Sequence, residues 1–302
     1  MIALLAPGQG SQTEGMLSPW LELPGAADQI ATWSQAGGLD LARLGTTAST
    51  EEITDTAVAQ PLIVAATLLA HQELTRRGLF AGEDFIVAGH SVGEIAAYAI
   101  AGVMASDDAI ALAATRGAEM AKACATDPTG MSAVLGGDET EVLARLERLD
   151  LVAANRNAAG QIVAAGRLTA LEKLAEDPPA RARVRALGVA GAFHTEFMAP
   201  ALDGYAAAAA RIATAEPTAT LLSNRDGKPV ASAAAAMDTL VSQLTQPVRW
   251  DLCTATMREH NVTAIVEFPP AGTLSGIAKR ELRGVPARAV KSPADLDELA
   301  NL

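Results

Sequence analysis

The chain has 302 residues, a formal net charge of −12, and a composition that is 50% hydrophobic but only 3% aromatic. That length suits one large domain with room for a smaller insertion, and the acidic balance argues against broad contact with nucleic acid or an anionic membrane. Cys124 and Cys253 are far apart and the histidines show no ligand spacing, so free thiols, no metal and no cofactor are expected.

The chain opens on the apolar run Ile2-Ala3-Leu4-Leu5-Ala6, which reads as a first strand and runs straight into Pro7-Gly8. It lacks a basic start and is too short for a signal peptide or a membrane span, so a cytoplasmic protein is expected. Pro61 to Arg77 reads as a helix closed by Gly78, and Phe85 to Ala88 as a strand buried on both faces. From Glu94 to Ile100 the pattern is helical, so Gly89 to Gly93 must turn sharply from strand to helix.

Between about Met131 and Phe193 the rhythm changes. Strands are predicted at Met131–Leu135, Leu151–Ala154, Gln161–Ala165 and Val184–Val189, with helices at Glu139–Leu149 and Thr169–Ala175. That β-α-β-β-α-β order is ferredoxin-like, a unit that closes its own small sheet and can be inserted into a larger fold. Leu221-Leu222-Ser223 and Ala264 to Phe268 then resume strand character. The expected class is α/β: a hydrolase-like large domain with a mostly parallel sheet over 1–128 and 193–302, and a ferredoxin-like subdomain over 129–192.

Gly89-His90-Ser91-Val92-Gly93 fits G-x-S-x-G, which presents a serine hydroxyl on a strained turn at the edge of a sheet. The helix after it offers backbone N–H groups and a positive dipole end to a developing oxyanion. An ordinary glycine-bounded helix cap at Ser91 is the competing reading. A serine nucleophile needs a base, and His194 is the best candidate because it follows the last strand of the insertion, at a domain junction. His71 and His260 read as helix histidines, and His90 lies too close in sequence to turn back onto Ser91.

Gly8-Gln9-Gly10-Ser11-Gln12, Gly89-His90-Ser91-Val92-Gly93, Thr115-Arg116-Gly117 and Ala192-Phe193-His194 together resemble the malonyl-CoA:acyl carrier protein transacylases and the acyltransferase domains of polyketide and fatty acid synthases. Gln60-Pro61, the pattern from Asn155 to Gly166, and Gln243-Leu244 followed by Pro247 to Trp250 extend the resemblance over nearly the whole chain. The run Glu267-Phe268-Pro269-Pro270-Ala271-Gly272 departs from the family's G-P-G turn.

The resemblance implies transfer of malonyl from malonyl-CoA to an acyl carrier protein through a Ser91 ester, in support of fatty acid elongation, and a monomer is the default expectation. His194 would be the base and the Gln243 carbonyl its orienting partner; Gln9 and Val92 would supply the oxyanion hole. Arg116 would hold the malonate carboxylate, since guanidinium is a bidentate, permanently charged partner. Phe193 would exclude a methyl branch. A neutral acceptor on His194 would leave it titrating nearer the reference value of about 6.5 than a carboxylate would. A serine hydrolase would instead need an acid between serine and histidine, and a silent docking module would need none of these groups. Arg156, Arg167, Arg181, Arg183 and Arg185, with Lys279, Arg280 and Arg283, are candidates for meeting an acidic carrier.

Overall fold

In the computed structural model, which describes residues 1–302 apart from the side chain at position 301, the chain begins with strand β1 (Ile2–Ala6). Helices α1 (Ser18–Leu21), α2 (Ala26–Gly37), α3 (Leu41–Thr46), α4 (Thr50–Thr54) and α5 (Thr56–Arg76) follow. Then come β2 (Phe85–Gly89), α6 (Gly93–Ile100) and α7 (Ser106–Cys124). The middle of the chain supplies β3 (Thr129–Gly136), α8 (Glu139–Arg148), β4 (Val152–Ala158), β5 (Gln161–Arg167), α9 (Leu168–Glu176) and β6 (Ala182–Ala186). The remainder adds α10 (Leu202–Ala209), β7 (Thr220–Leu221), α11 (Ala233–Ser242), β8 (Val248–Arg249), α12 (Trp250–Glu259), β9 (Ala264–Glu267), α13 (Thr273–Glu281) and β10 (Ala287–Ala289).

The first sheet has the order β10-β9-β1-β2-β7, with every pairing parallel. Its central strand β1 is buried at every position. Ile2, Leu4 and Ala6 join one apolar cluster with Trp20 and Trp33, while Ala3 and Leu5 join another with Trp250 and Ile277. Successive side chains of a strand point to opposite faces, so a strand covered on both sides needs an uninterrupted apolar run, which is what β1 carries.

The second sheet has the order β6-β3-β5-β4-β8. Strand β3 is antiparallel to β5 and β6, and β4 is antiparallel to β5, which is the expected β-α-β-β-α-β arrangement. Val142 and Leu146 of α8 and Leu171 and Leu174 of α9 cover one face, against Val134, Ile162 and Ala164. Met131, Val163 and Ala165 on the opposite face join the main core. The fifth strand was not legible in the sequence: β8, two residues from the C-terminal third, pairs parallel with β4. It brings the chain that follows Gln243 into the second sheet.

Helix α5 begins five residues before its predicted start at Pro61, because the Asp55 side chain accepts the Ala57 N–H and caps it. Pro61 therefore lies inside the helix, where it lacks an N–H to donate. The burial of every residue from Leu62 to Ala70 outweighs that loss. Strand β6 stops at Ala186, short of the predicted Val189, because its ladder to β3 ends at the Ser132–Ala186 pair.

The turn between β2 and α6 is set by close approach. A Cβ on Gly93 would sit 2.3 Å from the Ala6 carbonyl oxygen, and one on Gly89 would sit 2.0 Å from the Gly93 carbonyl oxygen. Backbone cannot yield as a flexible side chain can, so helix and strand pack at this distance only with glycine at both positions. Gly93→Ala is expected to destabilise the protein by roughly 3 kcal/mol, the upper end of overpacking costs, read as a lowered urea midpoint. An unchanged midpoint would mean that the turn relaxes freely.

Candidate active site

Ser91 sits on that turn with φ +54°, and His194 has φ +60°; both are non-glycine residues in the left-handed region. Such backbone persists only where its surroundings over-determine it. At Ser91 the N–H donates to Asn224 Oδ1 at 2.8 Å, and the carbonyl accepts from Gln243 Nε2 at 3.2 Å. The two strained residues face each other, with Ser91 Oγ 2.7 Å from His194 Nε2.

His194 Nδ1 lies 2.8 Å from the Gln243 carbonyl oxygen. A carbonyl only accepts, so Nδ1 carries the proton, the Nε2 lone pair faces serine, and the Ser91 hydroxyl donates to it. His90, as expected, points away: its Nε2 lies 2.8 Å from Asn157 Oδ1. His71 packs edge-on against Phe268, and His260 is exposed at the end of α12.

Arg116 projects from α7 and is 1% exposed. Nη1 donates to Gln60 Oε1 and Nη2 to Gln243 Oε1, each at 2.8 Å, while Nη2 also reaches Ser91 Oγ at 3.3 Å. Its Nε has no partner, and no carboxylate pairs with it among the described residues. The charge is thus buried among neutral acceptors, an expensive arrangement that a carboxylate arriving beside Ser91 would relieve.

The cavity over Ser91 measures about 270 Å³ and lies between the sheets; Gln9, Asn155, Phe193, His194 and Leu274 are among the residues lining it. A Cβ on Gly8 would come 2.7 Å from the His90 carbonyl oxygen, so glycine lets the loop carrying Gln9 lie against the serine turn. Neither the Gln9 nor the Val92 N–H donates to a protein acceptor among the described residues, which leaves both donors free beside the cavity and the serine turn. Sequence reasoning passed over Glu94 and Asn224. Both are fully buried, and both hold the serine turn. A lone carboxylate in the apolar helix Gly93–Ile100 was a readable signal; Asn224 before Arg225-Asp226-Gly227 looks only like a turn former.

At Glu267-Phe268-Pro269-Pro270, where the family pattern is lost, the Glu267 carboxylate accepts the N–H groups of Gly272, Leu274 and Ser275 and so caps α13. No group of three His, Cys, Asp or Glu side chains among the described residues has metal-binding geometry. No helix among them is long and apolar enough to cross a membrane.

The family model described as "Acyl transferase domain" matches residues 4–294. The chain belongs to the acyl transferase family. It is 92% identical over all 302 residues to the malonyl CoA-acyl carrier protein transacylase of Mycobacterium tuberculosis, with both chains fully covered. It superposes on the crystal structure of the M. tuberculosis transacylase with a TM-score of 0.98, again at 92% identity and full coverage of both chains. A malonyl-transacylase solved in complex with a type II polyketide acyl-carrier protein is 30% identical, with TM-score 0.93 and 99% of each chain covered. The enzyme is accordingly an acyltransferase with the two-sheet fold of this family.

Burial, reinforced by the positive charge of Arg116, pushes the His194 pKa from the reference value of about 6.5 down to about 3. Between those values the unfolded chain binds the proton and the folded chain does not, so this group's contribution to stability falls as pH drops from 6.5 toward 3. An NMR titration should find the His194 ring still neutral at about pH 5, with no inflection at the reference value of about 6.5. An inflection there would show a solvated imidazole.

Proposed function

We propose that this chain transfers malonyl from malonyl-CoA to the phosphopantetheine thiol of an acyl carrier protein through a malonyl ester of Ser91, supplying fatty acid elongation. The observation that carries the reading is the unpaired, buried Arg116, whose Nη2 lies 3.3 Å from the serine hydroxyl oxygen. An acyl group that ends in a carboxylate places its ester carbon on Ser91 and its charge on Arg116.

His194 Nε2 takes the hydroxyl proton as Ser91 Oγ attacks the thioester carbonyl. The free N–H groups of Gln9 and Val92 stabilise the oxyanion. The C–S bond then breaks, and coenzyme A leaves as the thiol with the proton that His194 held. In the second half the carrier thiol gives its proton to His194 and its sulfur attacks the ester; Ser91 departs and recovers a proton. The Gln243 carbonyl keeps the imidazole in the tautomer that both halves need. Phe193, buried beside His194 at the cavity wall, excludes branched acyl groups.

The names of the relatives support the substrate and the carrier. We assign the reaction to the cytoplasm and to a monomer, built as a large domain over 1–128 and 193–302 with an inserted subdomain over 129–192. Arg181, Arg183 and Arg185 lie exposed on or beside the edge strand β6, open to an acidic carrier.

Ser91→Ala should retain its fold and lose both transfer and covalent labelling by radioactive malonyl-CoA. A persistent label would relocate the nucleophile. Arg116→Ala should weaken malonyl transfer by roughly 2–5 kcal/mol, the cost of stranding one partner of a buried charge pair, while acetyl transfer stays level or improves. Equal losses for the two acyl groups would make Arg116 a packing residue.

A further inference from the structure

The groups assigned to chemistry are each held by a neighbour, and two of those neighbours are held by Glu94. This residue lies in the first turn of α6, three positions after Ser91, and is 1% exposed. One carboxylate oxygen accepts the Asn224 main-chain N–H at 2.7 Å, and the other accepts from Gln243 Nε2. Asn224 grips the serine turn at two points: Oδ1 accepts the Ser91 N–H at 2.8 Å and Nδ2 donates to the Gly89 carbonyl at 2.7 Å. Gln243 grips it at a third, the Ser91 carbonyl, and its own carbonyl and Oε1 hold His194 and Arg116.

We propose that Glu94 is a positioning residue for the acyl transfer, locking Asn224 and Gln243 so that Ser91, His194 and Arg116 share one geometry; the inference rests on Ser91 being the nucleophile.

The chemistry of the side chain explains why a carboxylate stands there. Both groups that face it are N–H donors, and only a side chain with two acceptor oxygens and no obligatory hydrogen satisfies both. An apolar residue would fill the space without the cost of burying a carboxyl, but it would orphan the Asn224 N–H and one Gln243 hydrogen. No Lys or Arg lies within ion-pair distance of Glu94 among the described residues, so the carboxyl is not there to form a salt bridge. Burial raises its pKa, and the N–H groups of Asn224 and Gln243 work against that rise, because both donate to the ionised form. An amide in its place presents NH₂ to one of two donors. If Gln243 rotates to meet it, Gln243 turns its own NH₂ toward Arg116, and the clamp is lost with the lock.

The test compares wild type with Glu94→Gln in two reactions at Ser91. A small aryl sulfonyl fluoride forms a sulfonyl ester with expulsion of fluoride and needs no carboxylate clamp, so it reports nucleophile geometry alone. Malonyl-CoA labelling reports nucleophile and clamp together. Glu94→Gln is expected to slow sulfonylation on the order of 10²-fold, the scale of a displacement of about 1 Å at a reacting pair, and to lower kcat for malonyl transfer at least as much. The folded fraction, from thermal melting and near-ultraviolet circular dichroism, normalises both rates, because a residue that only supports the fold changes melting without changing the rate per folded molecule. Wild-type sulfonylation by folded Glu94→Gln overturns the proposal. If that variant does not fold, Asn224→Ala, which releases the same serine N–H, carries the comparison, with an unchanged rate again overturning it. Failure of wild-type Ser91 to take a malonyl label would instead sink the reading of the site, leaving the sulfonylation comparison to judge the lock.

Discussion

Every group at the centre of this molecule meets at Gln243. Its main-chain carbonyl accepts the proton of His194, its Oε1 accepts from Arg116, and its Nε2 donates to Glu94 and to the Ser91 carbonyl. Only an amide side chain offers an acceptor and two donors in one plane, so a carboxylate, hydroxyl or amine here would break at least one contact. The residue lies where α11 gives way to a short 3-10 turn, just before the β8 strand that joins the second sheet. The segment that delivers β8 to the second sheet is therefore also what fixes the histidine against the serine.

The backbone on either side carries the corresponding strain. Ser91 and His194 both adopt positive φ, which costs of order 1–3 kcal/mol for each non-glycine residue. The compensation is visible in the surroundings: Gly89 lets β2 approach α6, Gly93 lets α6 approach the end of β1, and Asn224 and Gln243 hold the Ser91 amide and carbonyl. A serine turn of this shape exists because the packing of the parallel sheet and its helices leaves no room for a relaxed one.

Much of this was readable from residue order. The apolar β1 run, the switch from strand to helix across Gly89 to Gly93, and the β-α-β-β-α-β rhythm all depend on local patterning, and the structure places the corresponding elements within a few residues. The Ser91–His194–Gln243 chain was expected only through the resemblance, since no spacing in one dimension says which carbonyl will lie behind a histidine. Arg116 shows the limit most clearly. An arginine in the middle of a helix reads as solvated, and only the packing of α7 on α5 reveals that it is buried beside Ser91. Strand β8 was missed for a related reason: two residues carry no period, and their pairing with β4 is set by where α11 and α12 deliver them. The titration of His194 is not legible in residue order, because burial, the larger influence on it, belongs to the folded chain.

The low basicity of His194 bears on why a serine of this kind would transfer rather than hydrolyse. Part of the depression comes from the Arg116 charge, which has no counter-ion of its own. A malonyl group placed as proposed brings a carboxylate to Arg116, cancels that repulsion, and raises the histidine's affinity for a proton when an acyl group is present to be transferred. An acyl chain without a terminal charge leaves the histidine at its weakest. Water has to lose a proton with a reference pKa of 15.7, whereas a thiol starts near about 8.5, so a weak base separates the two nucleophiles more sharply than a strong one. A triad carboxylate on Nδ1 would stabilise imidazolium and narrow that gap. The neutral Gln243 carbonyl keeps it wide, and the same residue holds the arginine that makes the base sensitive to the substrate's charge. In the proposed mechanism, selectivity for a charged acyl group comes from the unpaired guanidinium, and reluctance to spend it on water from a buried imidazole with only a neutral carbonyl behind it.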